Sequence, residues 1–111
     1  MSVSDQGSGS TSSGVIWVSD KDLWLSEEFD DTHLVFFRPS EETHFLNFLS
    51  FGALFSLSLQ QASVGELQRR LQEQFSLQEE DLPLSLVENV IHELDEAGLI
   101  GPVELDADIN K

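Results

Sequence analysis

Glu88, His92 and Glu96 recur every four residues, which stacks two carboxylates and an imidazole on one face of a helix. Ladders of this kind can ligate a metal ion when facing helices supply the remaining ligands. No second ligand set accompanies this one, so the three residues are read as the solvated side of their helix and no metal is expected. His33 and His44 fall on neighbouring predicted strands and could face each other. Without a carboxylate or a nucleophile pattern beside them they read as a surface pair rather than as catalytic groups. There is no cysteine, which removes disulfides, thiolate zinc ligands and thiol nucleophiles together. The glycines of GSGSTSSG lie in the N-terminal stretch, not between a strand and a helix, so they do not form a phosphate loop. No serine stands in a nucleophile-elbow context. The expectation is a non-catalytic protein without a cofactor.

Bulk properties narrow the choice of partner. The chain has 111 residues with 21 Asp and Glu against 5 Lys and Arg, a formal charge of −16. Nucleic acid and anionic membrane surfaces both need cationic patches, so neither is expected as a partner. Basic peptides or proteins fit better, being drawn in by long-range attraction. Met1 to Gly14 has no cationic start and no apolar run, so it is not read as a signal or transit peptide, and a cytoplasmic setting is expected. No Asp, Glu, Lys or Arg occurs between Glu42 and Glu66, yet polar residues from His44 to Ser63 interrupt that stretch. A strand followed by a buried helix explains it better than a membrane span.

These residues must be positioned by a single domain. Residues 1–14 read as a Ser/Gly-rich flexible tail, 15–100 as the folded unit and 101–111 as an acidic C-terminal tail. Three strands are predicted, over Leu23 to Phe29, Thr32 to Arg38 and Thr43 to Asn47, with turns at Asp30-Asp31 and Ser40-Glu41-Glu42. Phe48 to Leu59 is apolar at helical spacing on every side and should be buried all round. Ser63-Val64-Gly65-Glu66 has the form of a capping box, opening a second helix with Val64, Leu67, Leu71 and Phe75 on one face. Pro83 starts a third helix that runs to Ala97 and stops at Gly98, after which Leu99-Ile100 return to the core. Trp17, Trp24 and the eight phenylalanines are read mainly as core. On the third helix, Leu84, Leu86, Val87, Val90, Ile91, Leu94 and Ala97 fill an arc of about 160°, wider than the ~100° that covering a core requires. The surplus has two readings. Either the small domain wraps this helix more fully, or one margin is the wall of a groove that receives a partner's side chain.

Three strands followed by three helices is the arrangement of a compact α+β, winged helix-turn-helix-like domain. From about Leu23 to Ile100 the chain resembles the PqqD family of small peptide chaperones, which act as recognition elements in the biosynthesis of ribosomally made peptides. It is closest to the branch associated with HPr-kinase-related proteins. The residues that carry the resemblance are LVFFRPSEETHFLN, the capped SVGELQRRL helix and VENVIHELDEAGLI. Phe48 departs from the pattern, since a proline or small residue is expected after Asn47. The resemblance implies that a precursor or leader peptide adds as a further strand along the third strand, on the backbone of Thr43, His44, Phe45 and Leu46. It implies that Val87, Val90, Ile91 and Leu94 line the groove for its side chains, and that the peptide is presented to a modifying or HPr-kinase-related enzyme. Main-chain pairing of this type gives affinity while side-chain pockets give register. The protein itself would be a monomer or weak dimer. Two other readings stand beside this one: a winged-helix DNA-binding regulator, disfavoured by Glu88, Glu93, Asp95 and Glu96 on the third helix, and a structural subunit docked on a kinase-like partner.

Overall fold

A computed structural model describes residues 14–103 of the chain. Its elements in order are β1 (Trp17–Val18), one turn of 3-10 helix (Lys21–Leu23), β2 (Trp24–Phe29), β3 (Thr32–Phe37), β4 (Glu42–Leu46), α1 (Phe48–Leu59), α2 (Val64–Phe75), α3 (Leu84–Glu96) and β5 (Gly101–Pro102). The strands β2, β3 and β4 form an antiparallel meander in that order. A separate two-stranded ribbon joins β1 to β5. The expected small α+β domain, with a three-stranded antiparallel sheet followed by three helices, is therefore present.

Turn chemistry explains where the strands end. Asp30 sits at a left-handed φ of 57°, a conformation that Asp tolerates better than most residues. This lets the two-residue loop Asp30-Asp31 close the Phe29–Thr32 pair. The second connection occupies Arg38 to Glu41, with Pro39 inside it, Glu41 at a φ of 59° and the Glu41 N–H donating to the Phe37 carbonyl at 2.8 Å. Arg38, predicted as strand, belongs to this turn, and Glu42, predicted as turn, begins β4. Asn47, predicted to end the third strand, instead caps α1: its side-chain oxygen accepts from the Ser50 N–H at 2.8 Å. Asn is among the best residues for that position, and it lets the helix start on Phe48 without a proline.

The helices bury one continuous core. The sheet contributes Trp24, Val35 and Leu46 from its inner face. Below them lie Ala53, Leu54 and Leu57 of α1, Leu67 and Leu71 of α2, and Val87, Val90, Ile91 and Leu94 of α3, with Leu99 and Ile100 closing the end as expected. Helix α1 carries the sheet, with the Phe51 ring stacked on His33 at 4.2 Å and edge-on to Trp24 at 6.1 Å. Its middle is enclosed, but Phe48 and Leu59 at its ends are exposed, so burial all round does not extend over its full length. Gly52 leaves room for α2 against α1: a Cβ there would meet the Phe75 ring at 2.9 Å. The capping box of α2 forms as the sequence predicts, with Ser63 and Glu66 exchanging side-chain-to-backbone hydrogen bonds of 3.3 and 3.0 Å. Gly98 follows α3 at a φ of 82°, in the left-handed conformation expected of that cap.

Two findings lie outside the predicted arrangement. The segment ahead of the sheet pairs with the α1–α2 connection and with the end of the domain. Trp17 exchanges backbone hydrogen bonds with Ala62 at 2.8 and 3.0 Å, while Val103 donates to the Ile16 carbonyl at 2.7 Å. Gly101 and Pro102, placed by sequence in an acidic tail, are therefore part of the folded unit; the expected tails over residues 1–13 and 104–111 lie outside the described residues. The phenylalanines are also not the centre of the core: Phe37, Phe51, Phe55 and Phe75 pack against it only partly buried. None of the eight is fully buried, and Phe29, Phe36, Phe45 and Phe48 are exposed.

Candidate functional site

Strand β4 has a strand neighbour on one side only, β3. Among the described residues, no backbone hydrogen bond runs from its other side to another element. The pleat divides its residues between two faces. His44 and Leu46 point with Val35 toward α1, while Thr43 and Phe45 point with Phe36 and Leu34 away from it. Leu46 is buried and Phe45 is 71% exposed. The His44 ring is mostly covered, and its Nε2 has no hydrogen-bond partner; the nearest carboxylate oxygen, Oε1 of Glu42, is 3.8 Å away. Strand β4 thus presents an open edge five residues long, bearing one exposed aromatic ring and one buried imidazole nitrogen without a hydrogen-bond partner.

The two histidines do not face each other. The register sets His33 opposite Leu46 and His44 opposite Val35, so they share the inner face one pair apart, and His33 is occupied by its stack on Phe51. In the Glu88, His92 and Glu96 ladder, Glu88 is half-buried, while the exposed His92 and Glu96 approach at 3.2 Å. Among the described residues no group of three or more His, Cys, Asp or Glu is placed to hold a metal ion. No helix of the structure is long and apolar enough to cross a membrane.

On α3, the four residues expected to line a groove are covered by the chain itself. Val87 and Leu94 are completely buried, and Val90 and Ile91 nearly so, against α2 and α1. The arc explains this. Val90, Leu94, Val87 and Ile91 occupy its central 100° or so, the width a core-facing stripe needs, while the margins are Leu84 and Leu86, both exposed. The helix is wrapped by its own domain. A depression of about 150 Å³ does reach Ile91, bounded by Trp17, Val64, Glu88, His92 and Asp95, but its walls are β1, the start of α2 and α3, not β4. Thus Thr43, His44, Phe45 and Leu46 come together on one edge, and Val87, Val90, Ile91 and Leu94 come together beneath the surface; the structure does not place the two sets along one open groove.

Basic side chains are scarce, and the structure commits one of them. Arg70 spans the end of α1, donating to the Gln60 carbonyl at 2.8 Å and the Gln61 carbonyl at 3.1 Å, where the helix leaves carbonyls without internal partners. The sequence pattern assigned no role to Arg70. A second group was missed, the outward face of the sheet: Leu25, Phe29, Leu34 and Phe36, which Phe45, singled out only for its backbone, joins. Strict alternation of apolar with polar residues marks a half-buried strand. The run LVFF lacks that alternation and was the available signal.

No family model, curated protein or solved structure matches the chain.

Proposed function

We propose that the protein is a non-catalytic peptide-binding adaptor that takes up an extended peptide as an additional strand along β4. The observation that carries this reading is the free edge of β4, with its backbone open over Glu42–Leu46 and Phe45 exposed beside it. Formal charge of −16 favours a peptide with basic residues, as long-range attraction raises the rate of encounter. In this reading the backbone of Thr43, His44, Phe45 and Leu46 supplies the pairing. The α3 residues Val87, Val90, Ile91 and Leu94 hold the domain in shape from beneath. The winged helix-turn-helix description, a cytoplasmic setting, a precursor or leader peptide as ligand and a modifying enzyme as recipient belong to the same proposal. They rest on the resemblance of LVFFRPSEETHFLN, SVGELQRRL and VENVIHELDEAGLI to the PqqD pattern.

The test uses the alternation of a strand, in which neighbouring residues direct their N–H groups to opposite sides. Of Thr43→Pro and His44→Pro, one removes a donor to β3 and the other a donor of the free edge. The variant that keeps the parent melting temperature is the edge variant. Against a synthetic library of extended basic peptides it should bind about tenfold or more weakly. Undiminished binding in that folded variant would exclude strand addition.

A further inference from the structure

The three-stranded sheet is apolar on both sides, and only one side is covered. Its inner face buries Trp24, Val35 and Leu46. The register places Leu25, Phe36 and Thr43 in one row on the outer face, Glu27, Leu34 and Phe45 in the next, and Phe29 with Thr32 in the last. Leu25 is 53% exposed, Phe29 64% and Phe36 36%, and no element of the described residues lies over them. Side chains opposite one another on adjacent strands stand about 5 Å apart, so these rows form one continuous surface. An antiparallel sheet packed on one side ordinarily presents polar residues on the other. A contiguous exposed apolar patch with a charged border is the mark of an interaction surface.

The border identifies what fits it. Within residues 24–46 the acidic side chains are Glu27, Glu28, Asp30, Asp31, Glu41 and Glu42, against Arg38 as the single Lys or Arg. Glu27 stands on the outer face itself, and the four acids of the two hairpin connections and their margins flank its ends. We infer that the outer face of the sheet is a docking surface for a second protein whose contact patch has an apolar centre and a basic rim. Neither residues 1–13 nor residues 104–111 have the sequence of such a patch. Residues 1–13 contain only Met1 and Val3 as large apolar residues, and residues 104–111 read ELDADINK, which would add acid to an acidic border. A second copy would bring its own Glu27, Asp30 and Asp31 against the first, two like-charged borders in contact. This surface is separate from the β4 backbone edge, so the inference does not depend on strand addition.

Leu25 and Phe36 are directly opposed on β2 and β3, off the β4 edge itself, and threonine keeps the preference for strand at both. The experiment compares the parent with the Leu25→Thr/Phe36→Thr variant, using a synthetic amphipathic peptide with a Leu/Phe face bordered by lysines. An analogue bordered by glutamates serves as the charge control. The parent should bind the lysine-bordered peptide, more weakly as salt rises, and should not bind the analogue. The double variant should lose about tenfold or more in affinity, while the β4 edge variant keeps it. If the double variant does not keep the parent fold, Phe29→Thr at the exposed corner of the sheet replaces it. Unchanged binding in the folded face variant, or equal binding of the glutamate analogue, would overturn the inference. So would a dimer of the protein alone in sedimentation that strengthens with salt and disappears in the double variant, since that assigns the face to a second copy.

Discussion

At the residue scale, Ser19 connects parts of the chain far apart in sequence. It is buried, accepts from the Trp24 indole N–H at 2.9 Å and donates to the Leu99 carbonyl at 3.0 Å, which ties the start of the sheet to the end of α3. Ser19→Ala leaves a buried donor and a buried acceptor without partners, and should cost about 1–3 kcal/mol in urea unfolding. Glu66 gives a pH-dependent contribution. Its hydrogen bond with the Ser63 backbone N–H holds the carboxyl below its ordinary value, opposed by desolvation and aided by Arg70. A folded-state pKa lower than the unfolded one adds stability above the unfolded value, and this is lost as pH falls through the folded value. Glutamine can occupy the same position in a capping box. The stability advantage of the parent over Glu66→Gln should therefore shrink as pH falls through the carboxylate range, in denaturation curves recorded at several pH values. Ser63 and Glu66 were legible in the sequence because the capping box is a local pattern. Ser19 was not, since its partners lie 5 and 80 residues away.

At the scale of elements, caps and close approaches decide which substitutions the helices accept. Ser76 ends α2 in the left-handed conformation at a φ of 56°, with the next N–H, of Leu77, donating to the Gln72 carbonyl at 2.8 Å. Glycine takes that conformation without a Cβ penalty, so Ser76→Gly should stabilise the domain by about 0.5 kcal/mol, less than the full penalty because glycine also loosens the unfolded chain. Gly52→Ala should act oppositely. The gain in helix propensity is about 1 kcal/mol, but the new methyl carbon would stand 2.9 Å from two atoms of the Phe75 ring. Phe75 is also edge-on to Phe48 at 5.1 Å, so its displacement disturbs a second contact. A net loss of about 1–2 kcal/mol is expected, measured as a lower midpoint in thermal or urea unfolding. Helix type and extent were readable from apolar spacing, and α1 begins and ends at the predicted residues. The strand ends were less legible: Arg38, Glu42 and Asn47 each changed element because turn and cap geometry compete with strand preference over a single residue.

At the scale of the whole molecule, the acidic surface opposes compaction. A formal −16 on 111 residues repels itself, and salt screens that repulsion as the Debye length falls from about 30 Å at about 0.01 M to about 8 Å at about 0.15 M. The melting temperature should rise over that range of sodium chloride, the reverse of what a fold dependent on surface ion pairs would show. By itself the sequence determined the α+β class, the order of three strands and three helices, the capping box of α2, the glycine stop of α3 and the absence of thiol chemistry, because periodicity, capping and composition are properties of neighbouring residues. Which of the apolar residues meet one another was decided only by the tertiary structure. The broad stripe of α3 is spent on its own core, with Leu84 and Leu86 left at its margins. Four phenylalanines pack partly buried against the core, Phe29, Phe36 and Phe45 stand on the uncovered sheet face and Phe48 is exposed at the start of α1, while β1 closes the domain by pairing with residues at its far end. Hydrophobicity is non-directional, so a sequence states how much apolar surface must be covered but not which element covers it. That choice is made by packing between segments distant in the chain, and here it left β4 with an open edge and the sheet with an exposed apolar face.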